Sequence, residues 1–196
     1  MTDWFTKRTL GSLPDDAASR WGDSEALVFK GRRWTHNEFA AEVDKAAKAL
    51  IAIGVVPGEK VSLWMNNKPE WLFLMYAVTK VGAVLVPLNT RYRREDIRYV
   101  LTQSTTGTLI ADDRSGPVNY LAMINDVLPD NTSGSSTKLE LEDFPDLRRI
   151  VFVGSEKLPG TLSYETILHM GTHVTDLELA NRTKAVDPDA VALICY

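Results

Sequence analysis

The sequence predicts a layered α/β fold, with a doubly wound and mostly parallel sheet flanked by helices. Short apolar runs typical of buried strands alternate along the chain with segments whose apolar residues recur at helical spacing. The composition, with 44% hydrophobic and 24% charged residues, is that of an ordinary globular protein. A chain of 196 residues is also long enough to bury a sizeable core.

The first predicted elements are a hairpin and a helix. Residues 25–34 predict two short strands joined by a tight turn, in which Gly31 can adopt a positive φ angle. Thr35 and Glu38 form a T-x-x-E capping box, and apolar residues then recur at helical spacing until Gly54 ends the pattern. This part of the chain therefore predicts a hairpin followed by an amphipathic helix that packs on a sheet.

A strand, helix and strand follow. Residues 60–65 and 83–86 predict the two strands, and Pro69 suits the first turn of the helix between them. Asn66 and Asn67 are candidates to cap that helix. Since parallel strands need a crossover of this kind, the stretch predicts a parallel pair.

The same alternation continues toward the end of the chain. It predicts strands at 108–111 and 149–154, and helices at 95–103, 118–127 and 163–170. Residues 191–196 (VALICY) predict a strand buried on both faces. Because chemistry in open α/β sheets gathers in the loops after such strands, we expect the active loop to lie beyond residue 196. On this interpretation residues 1–196 are part of an N-terminal domain.

Residues 129–146 differ in composition from their surroundings. They are rich in Asn, Thr, Ser, Gly and acidic residues, which predicts an exposed, flexible insertion. Within it, residues 131–138 (NTSGSSTK) have the composition of a phosphate-binding loop, but neither a preceding strand nor a following helix is predicted, so a linker is favoured. The turn at 65–69 has no glycine, which argues against a conventional NAD or FAD module.

Charge and cysteine content exclude several classes. A net charge of −4 and a pI near 5.4 argue against nucleic-acid binding. The single cysteine, Cys195, excludes an intramolecular disulfide, and its apolar surroundings predict a buried structural side chain. No signal-peptide core or membrane-spanning run is evident, so a cytoplasmic location is expected. The histidines lack the spacing of a metal site: His36, His169 and His173.

Three segments carry a family resemblance. They are residues 34–39 (WTHNEF) with 54–61 (GVVPGEKV), residues 66–71 (NNKPEW) and residues 82–92 (GAVLVPLNTRY), of which the last is the most specific. Together they resemble the acyl-CoA synthetases of the adenylate-forming superfamily, the fatty-acid, aryl and related acid:CoA ligases. Residues 187–196 are similar to the strand that in this family leads into the Thr/Ser/Gly-rich ATP phosphate loop.

The resemblance implies a reaction and its cofactors. Such enzymes activate a carboxylic acid with Mg-ATP as an acyl-adenylate and transfer the acyl group to CoA. The family's phosphate loop, its aromatic-Thr-Glu segment, its ribose-binding Asp and its lid lysine match no position in this sequence. The resemblance therefore implies no catalytic residue here and no activity for this chain alone. We interpret four aromatic residues as core rather than as an acyl channel: Trp64, Trp71, Phe73 and Tyr76.

Two arginines are the candidate binding residues. Arg91 and Arg114 each follow a predicted strand, at the edge where ligands approach such sheets, and the resemblance makes them candidate contacts for the CoA phosphates. The alternative is a solvated helix start near Glu95 and Asp96 with ordinary surface ion pairs.

A different function also remains open, that of a stand-alone, non-catalytic α/β binding or interaction module. The terminal strand discriminates between the two. A module would cover residues 191–196, whereas part of a larger domain would expose them or cover them by self-association.

Overall fold

A computed structural model describes residues 7–128, 134–135 and 138–196. Its strands are, in chain order, β1 (Glu25–Phe29), β2 (Arg32–Thr35), β3 (Lys60–Trp64), β4 (Val84–Pro87), β5 (Thr106–Asp112), β6 (Arg114–Ser115), β7 (Val118–Asn119), β8 (Gly134–Ser135), β9 (Lys138–Leu139), β10 (Arg149–Val153) and β11 (Leu162–Ser163). Five of them form one sheet in the order β11-β10-β5-β3-β4, and every neighbouring pair in it is parallel. The predicted parallel α/β sheet is confirmed.

The helices alternate with these strands. After a 3-10 turn (Leu10–Ser12) they are α1 (Leu13–Trp21), α2 (His36–Ala52), α3 (Pro69–Lys80), α4 (Arg94–Gln103), α5 (Tyr120–Val127), α6 (Tyr164–Gly171) and α7 (Asp176–Lys184). The predicted hairpin is β1 paired with β2, and the capping box begins α2, since the Glu38 N–H donates to Thr35 Oγ1 at 3.1 Å and the Thr35 N–H donates to Glu38 Oε2 at 2.8 Å. Within the described residues, no helix is long and apolar enough to cross a membrane.

Helices cover both faces of the sheet. Alternate residues of β10 enter two separate cores: Val151 and Val153 pack with α2, α3 and α6, whereas Ile150 and Phe152 pack with α4 and α5. A strand that is buried on both faces is typical of a parallel sheet covered on its two sides. The sheet is therefore doubly wound, as predicted. Trp64 and Phe73 are buried core residues, which confirms their interpretation.

The sheet has a topological switch point between β3 and β5. From β3 the chain passes through α3 to β4 on one side, and then returns through α4 to β5 on the other side of β3. The connections that leave the carboxyl ends of β3 and β5 therefore run in opposite directions, which opens a crevice between them.

A buried ion pair joins the amino ends of three neighbouring strands. The side chains of Glu59 and Arg149 are 1% and 8% exposed, and their Oε1 and Nη1 atoms lie 2.8 Å apart. Thr108 donates to Glu59 Oε1 at 2.7 Å, and Arg149 Nη2 donates to the Gly54 carbonyl at 2.7 Å. Burial lowers the pKa of Arg149, and the Glu59 carboxylate only partly opposes this shift. The network fixes β3, β5 and β10 relative to one another.

The prediction for the end of the chain is wrong. Residues 191–196 form a single parallel bridge, Leu85 with Leu193, beside β4, and they are not a buried strand. Leu193 is 39% exposed and Cys195 is exposed, so the prediction of a buried cysteine is also wrong. The reason is that, among the described residues, this segment has a strand neighbour on one side only.

The predicted 129–146 insertion lies partly outside the described residues, as does most of the 131–138 passage. Where it is described, it is not exposed throughout: Leu139, Leu141 and Phe144 are buried in the core beside α4 and α5. The three apolar residues of this otherwise polar stretch cover the core, so the predicted exposure is wrong for them. The flexibility of the insertion stays a prediction.

Helix boundaries differ slightly from those predicted. The helices expected at 95–103 and 163–170 are α4 and α6, each shifted by about one residue, an error usual at helix ends. The helix expected at 118–127 begins later, at Tyr120, because Val118 and Asn119 form β7.

Replacing the buried guanidinium tests the anchoring network. We expect Arg149→Met to lower the free energy of unfolding by about 3–5 kcal/mol, because it removes the buried cation that pairs with Glu59 Oε1 and leaves the buried carboxylate with the half-exposed Arg148. The matched control is Arg148→Met, because the Arg148 side chain is 46% exposed and its Nη2 atom lies 3.3 Å from Glu59 Oε2. This variant should lower the free energy of unfolding by about 1 kcal/mol or less. Urea denaturation measures both. Equal losses in the two variants would contradict the role given to Arg149.

Candidate functional site at the carboxyl edge of the sheet

A cleft of about 470 Å³ opens at the carboxyl ends of β3 and β5, at the switch point. We call it the switch-point cleft. It is formed by the loops that follow these two strands and by the tip of the β1–β2 hairpin. The lining residues are Phe29, Lys30, Arg32, Trp34, Asn66, Asn67, Lys68, Pro69, Glu70, Asp112, Arg114 and Ser115. Ligands of open α/β sheets bind at this position.

The switch-point cleft is more basic than the chain as a whole. Four of its lining residues are basic and two are acidic: Lys30, Arg32, Lys68 and Arg114 against Glu70 and Asp112. This is a local excess of two positive charges in a chain whose net charge is −4. A cleft with this balance favours an anionic ligand.

Lys68 holds the ends of two neighbouring strands together. Its ammonium group donates to Asp112 Oδ1 at the end of β5 and, at 3.0 Å, to the Val153 carbonyl at the end of β10. The Asp112 side chain is 4% exposed and that of Lys68 is 23% exposed. The charge of Lys68 is therefore matched inside the protein, and this residue shapes the floor of the cleft.

Asn66 connects the loop after β3 to the segment after β5, and it does not cap α3. Its backbone N–H donates to Asp112 Oδ2 at 3.0 Å, and its side-chain amide donates to the Ser115 hydroxyl. The residue before α3 is Lys68, which makes no side-chain capping bond. The prediction that Asn66 or Asn67 caps this helix is wrong, because the amide of Asn66 is used to tie the β3 loop to the segment after β5.

The cations at the rim have no strong carboxylate partner among the described residues. The Arg32 guanidinium lies 4.3 Å from the centroid of the Trp34 ring, and the Lys30 ammonium lies 5.3 Å from the centroid of the Phe29 ring. Arg114 Nη2 lies 3.5 Å from a carboxylate oxygen of Glu156, with both side chains more than half exposed. Exposed pairs of this kind are weak, so these charges remain open to an incoming anion.

Asp113 connects the loops that follow β5 and β10. Its carboxylate accepts N–H groups from Arg114 at 2.6 Å, Ser155 at 2.8 Å and Glu156 at 3.1 Å. Burial acts to raise the pKa of Asp113, but these backbone donors outweigh it, and the pKa lies below its ordinary value. A Cβ atom on Gly154 would lie 2.1 Å from Asp113 Cγ, so only glycine allows this close approach. Asp113 therefore sets the position of Arg114.

Arg91 lies apart from the switch-point cleft. It follows β4, its backbone N–H donates to Asn89 Oδ1 at 2.9 Å, and it is not among the residues that line the cleft. The start of α4 nearby is an ordinary helix cap, with the Arg93 N–H donating to Asp96 Oδ2 at 2.8 Å. The structure thus places both predicted arginines after carboxyl ends of strands, but only Arg114 in the cleft.

Three residues of the cleft were not predicted from the sequence: Lys68, Asp112 and Arg32. Lys68 lay within a segment that carried the family resemblance, and Asp112 follows an apolar run, so a search for charges at predicted strand ends would have found both. The two histidines His169 and His173 are four residues apart, and their ring centroids lie 6.3 Å from each other. No group of three or more metal-ligating side chains occurs among the described residues.

The fold and the cleft define a doubly wound α/β protein with a basic cleft at its switch point, and comparison with known proteins specifies its family. The chain belongs to the AMP-binding enzyme family, whose model matches residues 14–196. It is 31% identical over 190 residues to a Bacillus subtilis (strain 168) protein assigned as the acyl-CoA synthetase YngI, with 96% of this chain and 35% of that protein covered. It is 27% identical over 182 residues to the mitochondrial medium-chain acyl-CoA ligase ACSF2 of Bos taurus, with 92% and 29% covered.

A solved structure shows the same fold. The anthranilate CoA ligase AuaEII, determined in complex with anthranoyl-AMP, superposes with a TM-score of 0.70 at 21% identity, covering 86% of this chain and 29% of that one. The chain thus spans about a third of the length of the proteins that it matches.

The low pKa of Asp113 predicts a contribution to acid stability. A carboxyl group whose pKa is lowered on folding adds stability above its unfolded value of about 3.9, and that stability is lost as the pH falls through the folded value. We expect Asp113→Asn to be less stable than the parent chain at pH 7 and to lose less stability on acidification below about pH 4. Thermal unfolding across this pH range is the measurement.

The matched control is Asp143→Asn, because Asp143 is an exposed carboxylate that pairs with Arg98 at 3.0 Å. Loss of this exposed pair should cost about 1 kcal/mol or less. Gly154→Ala should reproduce the loss of Asp113→Asn at pH 7, since its Cβ atom displaces the same carboxylate. An acid branch that Asp113→Asn does not alter would contradict the assignment.

Proposed function

We propose that the whole protein is an ATP-dependent acid:CoA ligase, which activates a carboxylic acid of the fatty type as an acyl-adenylate and transfers the acyl group to CoA. The family match over residues 14–196 carries this proposal. Two relatives are named as an acyl-CoA synthetase and a medium-chain acyl-CoA ligase, and a protein of the same fold was determined with an acyl-adenylate, anthranoyl-AMP. Activation as an adenylate suits the chemistry, because a carboxylate is a poor electrophile until it carries a good leaving group.

The ATP phosphates do not fit the turn after β3, because it has no glycine that would let the backbone approach a phosphate. The ATP and Mg ligands of the resembled family match no position in this sequence. We therefore assign no ATP or Mg ligand and no catalytic residue to this chain. Its part in the reaction is to build and position a binding surface.

The described residues fit CoA better than they fit the ATP phosphates, and the residues that fit it lie at the carboxyl edge of the sheet. Its phosphates are anionic, and Arg91 and Arg114 are exposed guanidinium groups at that edge. Arg91 makes no side-chain ion pair within the described residues, and the contact of Arg114 with Glu156 is long and exposed. Either arginine can bind a phosphate oxygen without breaking a strong internal pair. We propose that both contact CoA phosphates, with Asp113 positioning Arg114.

The ligase proposal also accounts for the exposed terminal segment, residues 191–196. Val191 and Tyr196 are 61% and 43% exposed beside the edge strand β4. We propose that this apolar edge is covered in the whole protein by further strands of the sheet, and that the 196-residue chain alone self-associates through it. We also propose that the protein acts in the cytoplasm.

Pyrophosphate release tests the ligase proposal. The assay contains Mg-ATP, CoA and a panel of carboxylic acids, and it compares this chain with a protein extended by about 350 residues, a length set by the family resemblance and usual domain sizes. We expect turnover by the extended protein only. Turnover by the short chain would contradict the claim that it lacks catalytic groups. Inactivity of both would favour the alternative, a stand-alone binding module.

Kinetics of the extended protein test the two arginines. We expect Arg91→Gln and Arg114→Gln each to raise the KM for CoA about tenfold, the size expected for a lost hydrogen bond to a charged group. The KM for ATP should not change. Arg94→Gln is the matched control, because Arg94 also follows β4 but pairs with Asp126 at 3.2 Å. An unchanged KM for CoA in either variant would remove that arginine from the site.

A further inference from the structure

A second cavity, of about 410 Å³, lies between α1, β1, α2 and α3. We call it the α1 cavity. It shares no lining residue with the switch-point cleft. Its size falls within the range of about 300–1,000 Å³ that is usual for small-molecule sites. It is therefore a separate feature of the fold that the ligase proposal does not use.

The walls of the α1 cavity are mostly apolar. Leu27, Phe39, Leu72 and Tyr76 line it from three different elements, and each of these side chains is only partly buried. Phe39 and Tyr76 pack edge to face, with ring centroids 5.8 Å apart, and so form a rigid part of the wall. Partly exposed apolar side chains around one concave space favour an apolar ligand, since its binding removes their surface from water.

The rim of the α1 cavity carries an unmatched positive charge. Arg8 Nη1 pairs with Asp16 Oδ2 at 2.9 Å, which neutralises both groups. Arg20 also lines the cavity, is exposed, and makes no ion pair within the described residues. The His36 ring also lines the cavity and packs against Trp21, with ring centroids 5.2 Å apart. The lining therefore combines an apolar wall with one free guanidinium.

We propose that the α1 cavity binds a small monocarboxylate with an alkyl or aromatic body. The apolar body lies against Leu27, Phe39 and Tyr76, and the carboxylate pairs with Arg20. Charge complementarity decides this choice, because the free cation on the rim is matched by a single negative charge. The proposal is independent of the ligase proposal, because none of these residues lies at the carboxyl edge.

Calorimetric titration of the chain with octanoate, and with octanol as the neutral analogue, tests the proposal. We expect saturable binding of one octanoate per chain. Ala17→Phe fills the cavity from α1 and should weaken octanoate binding at least tenfold. If circular dichroism shows that this variant does not fold, Ala26→Phe fills the cavity from β1 and should have the same effect. Arg20→Gln should weaken octanoate binding about fivefold, the upper range for an exposed ion pair, and leave octanol binding unchanged.

The charge control is Arg33→Gln, because Arg33 pairs with Glu25 outside the cavity. It should bind octanoate like the parent chain. The proposal is overturned if octanoate does not saturate, if binding survives both cavity-filling variants, or if Arg20→Gln and Arg33→Gln behave alike. Ligase assays of the extended protein do not enter this test, so the two proposals fail separately.

Discussion

The buried pair of Glu59 and Arg149 is the constraint on which the rest of the sheet depends. A buried charge is strongly destabilising unless it is paired, so the pairing constrains the positions of both residues. Thr108 and the Gly54 carbonyl add further hydrogen bonds, whereas the buried Arg149 Nε has no partner among the described residues. A Cβ atom at Gly107 would lie 2.8 Å from the Glu59 side chain, so the approach of the two strands also requires glycine there.

The ion pair at the amino ends of the strands fixes their register, and this register determines which side chains lie at the carboxyl ends. A shift of one residue would turn every side chain of a strand to the opposite face, so the register set by Arg149 decides that Val151 enters one core and Phe152 the other. The same register places Asp112 where Lys68 reaches both its carboxylate and the end of β10. The floor of the switch-point cleft therefore follows from an ion pair at the other end of the strands.

Local sequence patterns were sufficient to predict most of the helices and strands. The hairpin turn at Gly31 and the capping box of Thr35 with Glu38 involve neighbours in the chain, and both are confirmed. The polar contacts that shape the cleft join distant residues: Lys68 and Asp112 are 44 positions apart, and Arg149 and Glu59 are 90 apart. No local pattern reveals such partners. The prediction of a buried strand at residues 191–196 was wrong for a related reason, because an apolar run is buried only where neighbouring strands cover it.

The buried pair at the amino edge of the sheet and the rim cations at its carboxyl edge differ in how completely their charges are paired. At the amino edge, Glu59 and Arg149 are internally paired and nearly inaccessible, so neither of them offers its charge to a ligand. At the carboxyl edge, Lys68 is matched by Asp112, but the rim cations Arg32 and Arg114 keep most of their charge exposed. An anion arriving there gains electrostatic attraction without disrupting a buried pair. The fold uses matched charges to set its geometry and leaves unmatched charges where a ligand can reach them.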